Sequence, residues 1–164
     1  MLELAQRVGR ELTTAGALLV TAESCTGGWV AQAVTSVSGS SAWFERGFVT
    51  YSNAAKQEML GVARETLERH GAVSEATARA MALGALRRGR GTIAVAVTGV
   101  AGPTGGTPAK PVGLVCFAWA THGGARTESR RFSGDRENVR RQAVARALQG
   151  VLELLATEPR SPDS

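Results

Sequence analysis

The run Thr92-Ile-Ala-Val-Ala-Val-Thr98 constrains the fold more than any other stretch of the chain. A strand with one wet face alternates polar and apolar residues, whereas this run is β-branched or small throughout. It predicts a strand buried on both sides, which requires a helical layer over each face of its sheet. The glycine-rich loop Gly99-Val-Ala-Gly-Pro-Thr-Gly-Gly106 follows at once. Two earlier segments have the same strand-to-loop form: Ala17–Thr21 leads into Ser24-Cys-Thr-Gly-Gly28, and Trp43–Tyr51 leads into Ser52-Asn53. Gly113–Thr121 and Arg126–Phe132 read as two further strands joined as a hairpin through His122-Gly-Gly124. Helices separate the three junctions, so the expected fold class is α/β, a three-layer α/β/α sandwich with a mixed, largely parallel sheet. In such sheets ligands bind beyond the carboxyl ends of the strands, so the three junctions are expected to meet on one edge.

The helical signals agree. Met1, Leu4, Ala5, Val8, Leu12 and Ala15 mark one face of a helix over 1–16 that Gly16 ends. A second helix is expected over 27–37 and a short one after Ser52. Two more are expected over 64–69 and from the N-cap Ser74 to about 88, and a last one from near Asp135. With 43% hydrophobic residues in 164, the chain is long enough for one globular core. That domain is expected over 1–156, with 157–164 a frayed tail.

No apolar run approaches the roughly 20 residues that span a bilayer, so no membrane part is expected. Met1-Leu-Glu-Leu-Ala-Gln-Arg7 lacks the apolar segment of a signal peptide. Cys25 and Cys116 form neither a disulfide framework nor a metal-ligand spacing, which suits a reducing, cytoplasmic setting with no metal. The net charge of +5 and pI near 10.2 invite a nucleic-acid reading. The arginines are dispersed, however, and aromatics make up only 5%, so no dedicated nucleic-acid face is expected.

The charge carries a sharper signal. Lys56 and Lys110 are the only lysines in a chain that otherwise uses arginine. Arginine keeps its proton in proteins, while a desolvated lysine can give it up and act as a base. Ser24, Cys25 and Thr26 place hydroxyl and thiol groups at a strand-to-helix turn, where backbone N–H groups and the helix dipole favour an anion. Tyr51, the one tyrosine, precedes Lys56 by five residues.

The candidate catalytic group is therefore Ser24 as nucleophile, Lys56 as general base and Tyr51 as proton carrier. Cys25 is the rival nucleophile, since a helix N-terminus lowers a thiol pKa, but a cysteine that starts a helix more often packs inward and it ranks below Ser24. The Gly99–Gly106 loop matches neither a Walker A loop nor a dinucleotide fingerprint; it either cradles a phosphate or ribose or is plain surface loop. Lys110 either covers the site or is an exposed loop charge. Among Arg130, Arg131, Arg136, Arg140 and Arg141, the first choices for a phosphate are Arg136 and Arg140. His70 and His122 read as surface residues. With Asp135 and Asp163 the only aspartates, neither a Ser-His-Asp triad nor a carboxylate metal cluster is supported.

At these residues the chain resembles a known family. The motifs are Thr21-Ala-Glu-Ser-Cys-Thr-Gly-Gly28, Gly39-Ser-Ser-Ala-Trp-Phe-Glu-Arg-Gly-Phe-Val-Thr-Tyr-Ser-Asn53, Gly71-Ala-Val-Ser74, Thr98-Gly-Val-Ala-Gly-Pro103, Lys110-Pro-Val-Gly113 and Phe132-Ser-Gly-Asp-Arg136. In that order they resemble the C-terminal domain of the competence/damage-inducible protein CinA, and within it the stand-alone nicotinamide-nucleotide amidases. The resemblance covers all but the last few residues. It implies an α/β/α fold, hydrolysis of the carboxamide of nicotinamide mononucleotide (NMN) in pyridine-nucleotide recycling, no cofactor, and a homo-oligomer. It also implies Ser24, Tyr51 and Lys56 as catalytic residues. Thr26, Gly27, Gly28, Thr98, Gly99 and Gly102 would contact substrate, and Arg136 or Arg140 the phosphate. The alternatives are a non-catalytic nucleotide-binding module with the same pocket or, less favoured, a basic nucleic-acid-associated protein.

Overall fold

In a computed structural model describing residues 1–158, six helices flank five strands. They follow in the order α1 (Leu2–Ala15), β1 (Leu19–Glu23), α2 (Trp29–Thr35), β2 (Phe44–Val49), α3 (Asn53–Leu60), α4 (Arg64–His70), α5 (Glu75–Arg88), β3 (Ile93–Gly99), β4 (Leu114–Thr121), β5 (Gly124–Arg131) and α6 (Arg136–Thr157). The strands lie in the order β2-β1-β3-β4-β5. β1 pairs parallel with β2 and with β3, while β4 is antiparallel to both β3 and β5. The sheet is thus mixed: β4 alone opposes the common direction of the other strands.

β3, formed by the two-sided apolar run, is the middle of this sheet, and every residue from Ile93 to Thr98 is buried. Its two faces differ in size. Ile93, Val95 and Val97 join Val115, Phe117 and Trp119 in a core with residues of α1, α2 and α6. Ala94 and Ala96 join Cys116, Ala118 and Ala120 in a second core with residues of α3, α4 and α5. The large side chains hold one helical layer off the sheet, while the alanine face accepts α5 closely. On the bulky side Trp119 lies under α6, where its indole N–H donates to the Ala147 carbonyl at 2.9 Å. Only a glycine fits above it: a Cβ at Gly150 would stand 1.9 Å from the Trp119 ring.

Element ends follow local chemistry. Gly16 closes α1 in the left-handed region at φ 63°. Ser52, Ser74 and Asp135 accept from backbone N–H groups at the starts of α3, α5 and α6. Thr157 is the last residue of α6, so the expected tail begins later than residue 157; its remainder from 159 lies outside the described residues. Among the described residues no helix is long and apolar enough to cross a membrane.

Candidate active site

β1 runs two residues beyond its sequence-read end, to Glu23, and this sets the position of everything after it. Ser24, the first residue past the strand, donates its N–H to the Val97 carbonyl at 2.9 Å and so stays tied to β3. The chain then turns sharply, with the Gly27 N–H donating to the Ser24 carbonyl at 3.0 Å. Gly27 and Gly28 take φ of 60° and 104°, values that glycine adopts without a steric penalty. The helix therefore begins at Trp29, two residues later than its sequence signal.

The amino end of α2 does not await an anion, contrary to the sequence expectation. The Glu23 carboxyl, 1% exposed, folds back over it. Its Oε1 accepts from the Val30 N–H at 2.7 Å and from the Thr26 hydroxyl at 2.7 Å, and its Oε2 accepts from the Ala31 N–H at 3.1 Å. The chain fills its own helix-dipole site. Thr26, expected among the substrate contacts, is fully buried and its hydroxyl donates to this carboxyl. The only sequence signal of Glu23 is an acid at the end of a largely apolar strand.

The second junction delivers Lys56. Ser52 caps α3, and Lys56, near its start, points inward and is 1% exposed. Its Nζ lies 3.0 Å from Ser24 Oγ, and it donates to the Thr50 carbonyl at 2.9 Å and the Tyr51 carbonyl at 3.4 Å. Desolvation by burial lowers its pKa below the ordinary 10.5. A neutral amine has two N–H donors and one lone pair. Two carbonyls take the donors, so the lone pair is left for the Ser24 hydroxyl.

Cys25, the second-ranked nucleophile, faces inward. It packs in the core shared with α1, α2 and α6, and burial, followed by the Glu23 charge, pushes its thiol up to about 12. The helix terminus expected to activate the thiol is already neutralised by Glu23.

The loops after β2 and β3 do meet at this edge. Tyr51 is 63% exposed and reaches Lys56 through its carbonyl only. Its hydroxyl accepts from Arg136 Nη2 at 3.2 Å, and Arg136 Nη1 donates to the Gly102 carbonyl at 2.9 Å. Arg136 thereby ties the β2 and β3 loops to the start of α6. Arg140, one turn on, donates to the Cys25 carbonyl at 3.1 Å and the Thr26 carbonyl at 3.2 Å, with its guanidinium 5.4 Å from the Trp29 ring centre. It braces the Ser24 turn from outside, so of the two arginines expected to meet a phosphate, Arg136 is the one left at the exposed rim. Arg130 and Arg141 pair with Glu128 and Glu137.

Thr98 is also inward, 1% exposed, its hydroxyl donating to the Ala72 carbonyl at 2.8 Å, so it too offers its side chain to the protein and not to a ligand. Gly99 completes β3 opposite Val115. Lys110 donates to the His70 carbonyl at 2.8 Å and also to the Val73 carbonyl, pinning the glycine-rich loop to the α4–α5 connection. It is an anchor, neither a cover for the site nor a free charge. His70 and His122 are exposed. Among the described residues no cluster of His, Cys, Asp and Glu could hold a metal ion.

Fold and site together define a three-layer α/β domain whose carboxyl edge carries a buried serine–lysine pair. The chain belongs to the CinA C-terminal domain family, whose model matches residues 1–155. It is 57% identical over 150 residues to the nicotinamide-nucleotide amidohydrolase PncC of Escherichia coli K12, covering 91% of each chain. A protein of the same name from Pseudomonas putida is 54% identical over 151 residues, 92% of this chain and 94% of the relative. Among solved structures, the competence/damage-inducible protein CihA of Agrobacterium tumefaciens superposes with a TM-score of 0.91 at 49% identity, covering 95% of each.

Proposed function

We propose that this chain hydrolyses the carboxamide of NMN to nicotinate mononucleotide and ammonia, with Ser24 as nucleophile and Lys56 as base. Membership of the amidohydrolases rests on relatives from Escherichia coli, Enterobacter agglomerans and Pseudomonas putida, 57%, 53% and 54% identical over 91%, 92% and 92% of this chain, each named nicotinamide-nucleotide amidohydrolase. The choice of residues rests on one observation, the 3.0 Å approach of a buried Lys56 amine to the Ser24 hydroxyl.

In the scheme, Lys56 takes the Ser24 proton as Oγ bonds to the amide carbon, giving a tetrahedral intermediate. The Gly27 N–H is spent on the Ser24 carbonyl, so Gly28, whose N–H has no partner among the described residues, is the donor assigned to the oxyanion. Collapse breaks the C–N bond. The leaving nitrogen takes that proton back from Lys56 and departs as ammonia, while Tyr51, its hydroxyl accepting from Arg136, stays at the rim. Water, deprotonated by the same amine, then cleaves the ester and restores Ser24. Arg136, at the exposed rim between Tyr51 and Gly102, takes the 5′-phosphate. The scheme uses groups of this chain and water alone. A place in pyridine-nucleotide recycling, a reducing cytoplasm suited to two free cysteines, and self-association complete the reading.

Ammonia release from NMN and from nicotinamide riboside tests it. Turnover of NMN with a much poorer riboside is expected. NMN bound without ammonia release would make the chain a binding module, and steep salt-dependent DNA binding without turnover would favour a nucleic-acid role.

A further inference from the structure

Glu23 is the largest buried polar group near the site that the reaction scheme leaves unused. Three donors converge on it from one side of the turn: the Thr26 hydroxyl and the N–H groups of Val30 and Ala31. From the other side Arg140 holds the carbonyls of Cys25 and Thr26. The segment between strand and helix is thus gripped at every residue from Glu23 to Thr26, with Ser24 itself tied to Val97. Two neighbouring nucleophiles point in opposite directions as a result. The Ser24 hydroxyl faces Lys56, and the Cys25 side chain packs in the core.

We propose that Glu23 is a positioning residue for the nucleophile: its buried carboxyl, clasped by Thr26 and the first amides of α2, fixes the turn so that the Ser24 hydroxyl faces Lys56 and the Cys25 thiol stays in the core. A displacement of about 1 Å at a reacting atom can cost about a hundredfold in rate. A carboxyl that spans from strand end to helix start is a means of preventing it. The burial that pushes the Cys25 thiol up to about 12 accords with this arrangement, since a thiol held inward stays protonated. The inference rests on the reading of Ser24 as the nucleophile.

Glu23→Gln is the direct test. It keeps the shape and one acceptor, but presents an NH2 group to an N–H donor of α2 and so loosens the clasp. A fall in kcat of about tenfold to a hundredfold is expected, with KM held within about a factor of two, because the ground-state contacts lie elsewhere. Iodoacetamide labelling, resolved by peptide mass, supplies the readout that a loss of stability alone would not give. Local release of the turn speeds alkylation of Cys25 and leaves Cys116, buried in β4, at its wild-type rate. Equal acceleration at both cysteines, or an unchanged kcat, overturns the proposal. Ser24→Ala is assayed alongside: if it retains activity, the serine reading fails while the cysteine contrast still decides whether Glu23 holds the turn.

Discussion

Lys56→Met separates the chemistry of the lysine from its cost to the fold. The amine is 1% exposed, and burial lowers its pKa from 10.5. For a cation with a depressed folded pKa, the unfolded chain binds the proton more tightly. Below the folded pKa both states are protonated and wild type carries the whole penalty. As pH rises from that value towards 10.5 the folded amine is neutral while the unfolded one is still charged, so stability climbs, by at most about 1.4 kcal/mol per pH unit for one proton. Methionine removes this term. It also strands the Thr50 carbonyl, which Lys56 serves at 2.9 Å, at a cost of about 1–3 kcal/mol. The stability of the variant relative to wild type is therefore greatest near neutral pH and declines as pH approaches 10.5. Ammonia release falls by a factor on the order of 10³ or more at every pH. Urea unfolding of both proteins across that range gives the comparison. A stability difference that does not vary with pH would refute the reasoning, because Lys56 would then titrate alike in the folded and unfolded chains and be no desolvated base.

Two further outcomes follow from the same geometry. Arg136→Ala removes the guanidinium between Tyr51 and Gly102, and is expected to raise KM for NMN by about tenfold or more, the worth of a charge-assisted hydrogen bond, with a smaller effect on kcat. An unchanged KM in steady-state assays would remove Arg136 as the phosphate ligand. Gly150→Ala drives a Cβ to 1.9 Å from the Trp119 ring, and overpacking of this kind costs about 1–3 kcal/mol. A lower denaturant midpoint with kcat retained in the folded fraction is expected, and an unshifted midpoint would contradict the close seating of α6 on the sheet.

The parts of this molecule that announce themselves in sequence are those decided locally. A two-sided apolar strand demands two helical layers, and the cores on either face of β3 meet that demand. Ser52, Ser74 and Asp135 act as caps because a short polar side chain before a helix has a nearby N–H to serve. Lys56 stood out by being lysine where arginine was the habit, and it lies beside Ser24. What failed to show depended on contacts between distant segments. Glu23 becomes a helix cap only because β1 is two residues longer than its apolar run, and because α2 folds back over it. Arg136 and Arg140 look interchangeable four residues apart. The loops they meet make one a rim residue and the other a brace. The inward packing of Cys25 follows from its place at a helix start, whereas the carboxyl that offsets the helix terminus beside it comes from the end of β1.

Ammonia release from NMN by Ser24→Ala, measured beside wild type on protein shown to be folded, tests the central claim most directly. With the serine–lysine pair as the reacting centre, the rate falls by a factor on the order of 10³ or more and binding of NMN persists. A rate near that of wild type would mean that water attacks the amide without a covalent intermediate on this hydroxyl, and that Ser24 and Lys56 stand 3.0 Å apart for structural reasons alone.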